Sequence, residues 1–118
     1  MKSYFNFSLV DEIISKFIYD MEANRIDIYF TGYFDKVKQI HIENTCMLRI
    51  RDWKKIRGKF WLNTQYKDIE IYISIFNIIL FMEREGETLK MGVSCLDGNV
   101  MWILFDRAVI NFQEYVES

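Results

Sequence analysis

Apolar and polar side chains alternate with a period of two along most of this chain, the repeat of an extended strand that buries one face. Ile69, Ile71, Ile73 and Ile75 occupy every second position, and Leu89, Met91, Val93 and Cys95 do the same. Leu96-Asp97-Gly98-Asn99 follows, after which Met101, Ile103 and Phe105 resume the alternation. Asp-Gly between two alternating runs marks a tight hairpin, because the turn needs backbone conformations that these residues tolerate. Glu85-Gly86 is a second turn of the same kind. The last third of the chain is therefore predicted as β-hairpins written end to end.

The same pattern extends toward the N-terminus. Phe17, Tyr19 and Met21 precede the polar stretch Glu22-Ala23-Asn24-Arg25, and Ile26, Ile28 and Phe30 follow it. This predicts strand, turn, strand, with Asn24 at a position that accepts positive φ and Gly32 ending or bending the second strand. Ile40 and Ile42 share parity with Cys46, Leu48 and Ile50, which predicts a hairpin or a bulge near Glu43-Asn44-Thr45. Residues 68–84 are longer than an ordinary strand, so a bend is expected near Phe76-Asn77. Residues 1–8 read as an edge strand or a lead-in, and Ala108 to Tyr115 as a last strand or a terminal helix. Two segments lack clean alternation. Residues 9–16, with Ser8 as an N-cap and Asp11 and Glu12 in a first turn, and residues 52–60 are each candidates for a short helix. The expected fold is mainly β: a twisted antiparallel sheet, as an open half-barrel or a sandwich, with at most one or two short helices. The alternative is α+β with a helix at both places. Open sheet edges also allow a homodimer.

At 118 residues the chain is expected to form one β-rich domain over 1–118, and 51% hydrophobic residues suffice for a core. Proline is absent, which suits a chain whose backbone N–H groups are mostly committed to ladders. A net charge of −2 argues against nucleic acid or an anionic membrane as a partner of the whole surface. No apolar run approaches the roughly 18 residues of a membrane span, and the N-terminus lacks a signal-peptide core, so a cytoplasmic protein is expected. Cys46 and Cys95 are then expected as free, buried thiols.

Little catalytic chemistry is on display. His41 is the single histidine, set between Ile40 and Ile42 and so directed away from their face. One histidine and two distant cysteines do not make a zinc site, and neither a calcium loop nor a glycine-rich phosphate loop occurs. No enzyme activity, cofactor or metal is expected. One cluster stands out. Arg49, Arg51, Lys54, Lys55, Arg57 and Lys59 crowd a short stretch opposed by Asp52 alone, with Trp53, Phe60 and Trp61 interleaved. Arg51, Trp53, Lys54, Lys55, Arg57 and Trp61 are the candidate partner-binding residues. Basic groups neutralise phosphates and aromatic faces stack on bases, so one reading is a nucleic-acid-binding segment over 49–61. The other is a solvated connection whose two tryptophans turn into the core.

Asp11-Glu12-Ile13-Ile14, Tyr19-Asp20 and Arg25-Ile26-Asp27-Ile28, together with Ile50-Arg51-Asp52-Trp53 and Phe105-Asp106-Arg107-Ala108-Val109, give the chain a further character. In the order of these pieces, over roughly residues 11–112, it resembles the small β-rich bacterial immunity proteins encoded beside polymorphic or contact-dependent toxins. The resemblance implies a catalytically inert protein that binds one cognate toxin domain and blocks its active site or substrate entry.

Overall fold

The computed structural model describes residues 2–3, 5–68 and 74–114, and among them there is no helix. The strands are β1 (Lys2–Ser3), β2 (Phe7–Ser8), β3 (Ile14–Asp20), β4 (Arg25–Phe30), β5 (Tyr33–Asp35), β6 (Ile40–Ile42), β7 (Cys46–Arg51), β8 (Lys55–Phe60), β9 (Lys67–Asp68), β10 (Phe76–Glu85), β11 (Thr88–Cys95), β12 (Val100–Asp106) and β13 (Val109–Glu114). They make three antiparallel sheets: six strands in the order β1-β10-β11-β12-β8-β9, four in the order β13-β7-β4-β3, and three in the order β2-β5-β6.

Alternation decides which face each sheet buries. In the six-stranded sheet Leu89, Met91 and Val93 stand opposite Phe105, Ile103 and Met101, and all are buried. In the four-stranded sheet Ile26, Ile28 and Phe30 stand opposite Ile50, Leu48 and Cys46, again all buried. The two inner faces share one core. Phe17 of β3 meets Phe76 of β10 with ring centroids 4.6 Å apart. Trp53, on the corner between β7 and β8, packs on Phe105 at 5.3 Å and on Tyr19 at 6.2 Å. Each fully buried Phe or Ile contributes about 1.5–3 kcal/mol through removal of apolar surface from water. The two larger sheets thus face each other as an open sandwich and do not close into a barrel. The small sheet caps one end: Phe112 of β13 stacks on Phe7 of β2 at 3.9 Å and meets Tyr33 of β5 edge-on at 5.0 Å.

The turns follow the sequence reading. Asn24, Gly86 and Gly98 hold positive φ at 47°, 61° and 88°, and each sits in the turn of a hairpin. The bend expected near Phe76-Asn77 is a register shift between Phe76 and Ile78, with a second between Ile79 and Phe81. Of the alternating run beginning at Ile69, residues 69–73 lie outside the described residues. Ala108 to Tyr115 forms a strand as far as Glu114, not a helix.

Both expected helices, and with them the α+β alternative, are replaced. At 9–16 the chain buries Leu9, makes a parallel bridge from Val10 to Ile79, reverses at Asp11 with φ 61° and enters β3 at Ile14. Ser8 caps no helix; its hydroxyl accepts the Val10 N–H at 3.3 Å. At 52–60 Asp52, with φ 57°, turns the corner, and β8 follows with Ile56 and Gly58 facing inward. Glycine at an inward position hid the period of two. The hairpin or bulge expected at 43–45 is instead a crossing between sheets: β6 pairs with β5, whereas β7 pairs with β4 and β13.

Candidate functional site

The fold takes the basic segment apart. Arg49 and Arg51 lie on β7, alternating with inward Leu48 and Ile50, and so face outward from the four-stranded sheet. Lys55, Arg57 and Lys59 alternate with inward Ile56 and Gly58 and face outward from the six-stranded sheet. The outer faces of the two sheets lie on opposite sides of the sandwich. Trp53, between them, is 3% exposed and belongs to the core. Lys54 is exposed on the corner, where its backbone N–H donates to the Asp106 carbonyl at 2.8 Å. Trp61 is 54% exposed just beyond β8, so the expectation that both tryptophans turn inward holds for Trp53 only. Residues 49–61 therefore do not form one patch.

On the four-stranded side, Asp27 is 4% exposed and organises the guanidinium groups. Arg49 donates to it from Nε at 2.8 Å and from Nη2 at 3.2 Å, and Arg25 Nε lies 3.4 Å from its other edge. The hydrogen bond to Asp27 holds Arg49 more firmly protonated than an ordinary arginine. Arg51 pairs with Asp52 and donates to Asn111 at 3.4 Å. These cations are engaged by neighbours of their own.

The six-stranded side differs. Phe81, Gly92, Trp102 and Lys59 fall in one row across four strands. Gly92 lets the Phe81 ring lean across it: a Cβ there would lie 2.3 Å from Phe81 Cε1. Phe81 meets Trp102 edge-on at 5.5 Å. The Lys59 ammonium sits 4.6 Å from the Trp102 centroid and 5.1 Å from that of Tyr66, and Lys90 Nζ is 5.0 Å from Trp102 and 5.9 Å from Phe81. Arg57 holds both oxygens of Asp106, at 2.9 and 3.1 Å, and Thr88 donates to the same carboxylate at 2.9 Å. Lys55 pairs with Asp68 at 3.8 Å. Lys59 and Lys90 reach the Trp102 ring from the two strands beside β12, and Glu83 stands opposite Lys90 in the register. Burial raises the Tyr66 phenol above its ordinary value, with Arg57 opposing the shift. Sequence reasoning missed Tyr66, Phe81, Lys90 and Trp102. The outward parity of 88–106 marks Lys90 and Trp102, but only pairing places them beside Lys59.

No protein-family model matches the chain, and no curated protein or solved structure matches it either.

Two further features complete the surface. At one end Phe60, Trp61 and Leu62 are 47%, 54% and 74% exposed, and they flank a hollow with Gly98, Asn99 and Val100 of the β11–β12 hairpin. Leu96 of that hairpin is 64% exposed, and its N–H donates to the carbonyl of Ile75, itself 53% exposed. Near the small sheet His41 Nε2 lies 2.8 Å from Glu12 Oε1, in a groove of about 480 Å³ lined also by Asp11, Ile13, Thr31 and Glu43. Among the described residues no group of three or more His, Cys, Asp or Glu side chains is disposed to hold a metal ion.

Proposed function

We propose that the protein is a non-enzymatic protein-binding module, an immunity protein that binds and neutralises a cognate toxin domain in the cytoplasm. The observation that carries this reading is the exposed apolar end formed by Phe60, Trp61, Leu62, Leu96 and Ile75. Large apolar side chains gathered at one place on a small protein mark contact surfaces, and tryptophan is the side chain that most often anchors them. Here the anchors stand on the end of one strand and the turn of a hairpin, so little order must be gained on binding. The resemblance to immunity proteins supplies the kind of partner.

The test is co-expression with the toxin domain encoded beside the gene. The full chain should restore growth and co-purify with that domain at equal stoichiometry. Trp61→Ala, at an exposed position, should leave thermal stability unchanged and weaken the complex by about 2 kcal/mol or more, as truncation of an interface anchor does. A chain that neither protects nor binds, or a Trp61→Ala variant that binds as tightly as the parent, overturns the reading.

A further inference from the structure

We propose that the outer face of the six-stranded sheet binds single-stranded nucleic acid, with Lys59 and Lys90 on its phosphates and Trp102 and Phe81 beneath its bases. This surface is separate from the apolar end around Trp61 and uses residues outside the 49–61 segment for its rings.

Two observations on this face point to the same ligand. The first is charge. Lys55 and Arg57 are matched by Asp68 and Asp106, whereas Lys59 and Lys90, from the two strands beside β12, converge on one indole, with Glu83 opposite Lys90 in the register. Two like charges held near one ring repel each other, and an anion between them removes that cost. The second is the rings. Phe81 and Trp102 lie in one row across neighbouring strands, with Gly92 between them carrying no side chain, and Tyr66 borders Lys59. A sheet face with rings beside flexible cations is the arrangement that stacks unpaired bases while tracking their backbone. The lysine stems are long enough for the ammonium groups to lift from the indole to a phosphate, which frees the ring for stacking. An acidic peptide would satisfy the lysines but would leave the row of rings unused, and a duplex would hide its bases from them.

The experiment titrates the full chain with oligothymidylate at low salt. A Trp61→Phe background leaves Trp102 as the tryptophan outside the core, since Trp53 is 3% exposed. Saturable quenching of tryptophan emission is expected, weakening as salt rises. Replacing both lysines (Lys59→Gln with Lys90→Gln) should flatten the log–log salt slope by about 1.4, from about 0.7 per phosphate on a single strand. Trp102→Leu should weaken binding about tenfold, read by anisotropy of labelled oligonucleotide. Thermal unfolding of each variant checks that the sheet persists. Absence of binding at low salt overturns the proposal, as does binding that the lysine pair does not affect. Equal binding of polyglutamate also overturns it, because the face would then read charge without bases. Toxin neutralisation depends on Trp61 and oligonucleotide binding on Lys59, Lys90 and Trp102, so either reading can fail while the other stands.

Discussion

Gly92 shows how one missing side chain shapes a surface. Its neighbours in β11 alternate inward and outward, and Gly92 takes an outward position at which a longer residue would fit the ladder as well. Phe81 fills the space instead, close enough that any Cβ at position 92 would meet three atoms of its ring at 2.3–3.0 Å. The backbone at Gly92 is ordinary for any residue, so the demand is steric and not conformational. Gly92→Ala should therefore displace Phe81 and cost about 1–3 kcal/mol of stability through overpacking. A urea midpoint lowered at constant slope, together with altered near-ultraviolet circular dichroism from Phe81 and Trp102, is the expected result. Gly86 and Gly98 have open space around an added Cβ, and there the constraint is positive φ alone.

At the scale of elements the turns carry local information and the sheets do not. Asn24 has φ 47° between β3 and β4, its N–H donates to Met21 O at 3.3 Å, and its carbonyl accepts the Asp52 N–H at 2.9 Å. Asn24→Gly should leave stability unchanged or slightly higher, whereas Asn24→Val should cost about 1–2 kcal/mol, because a β-branched side chain clashes in the left-handed region. Chemical denaturation of the two variants side by side separates backbone strain from loss of the asparagine side chain. The hairpins were legible in sequence for this reason: Asp97-Gly98, Glu85-Gly86 and Asn24 each state their own conformation. Inward positions were legible wherever alternation is unbroken, as in Leu89 to Cys95 and Met101 to Phe105. Two bulges in β10 moved the inward set from Phe76 to Ile79 to Met82 and erased the period. Pairing between distant strands left no local trace. Nothing near Ile40 says that β6 joins β5 while β7 joins β4 and β13, and nothing near Lys59 names Lys90 or Trp102 as its neighbours. The candidate residues at 49–61 were adjacent in sequence, and a period of two on each side of the Trp53 corner sent them to opposite sides of the molecule.

At the scale of the whole molecule, each sheet buries one thiol or phenol among the described residues, and this makes alkaline pH a probe of cooperativity. Cys46 lies in the four-stranded sheet and Cys95 in the six-stranded sheet, and burial raises their thiols from 9.0 to about 12 and about 11. Tyr33 lies in the small sheet, where its hydrogen bond to the Glu114 carboxylate at 2.6 Å, with burial, raises the phenol from 10.0 to about 12. All three are neutral when protonated, and the fold favours that form. Their contribution to stability is complete below about pH 9, and it is lost as pH rises through about 11 to 12. Urea stability should thus be level from neutral pH to about 9 and then fall. Because Phe112 ties the small sheet to the four-stranded one and Trp53 ties the two larger sheets together, the three ionisations should act on a single transition. Both thiols should resist thiol reagents in the absence of urea, and at a single pH of about 10 they should become reactive at the same urea concentration at which the Tyr33 phenolate absorbance, read as the difference from Tyr33→Phe, appears. Tyr33→Phe should remove the phenol's share of the alkaline fall without altering the thiols' share. If Tyr33 ionised at lower urea than the thiols, the small sheet would be opening alone, and the stacking of Phe7 and Tyr33 on Phe112 would be too weak to make one cooperative unit of the sandwich and its cap.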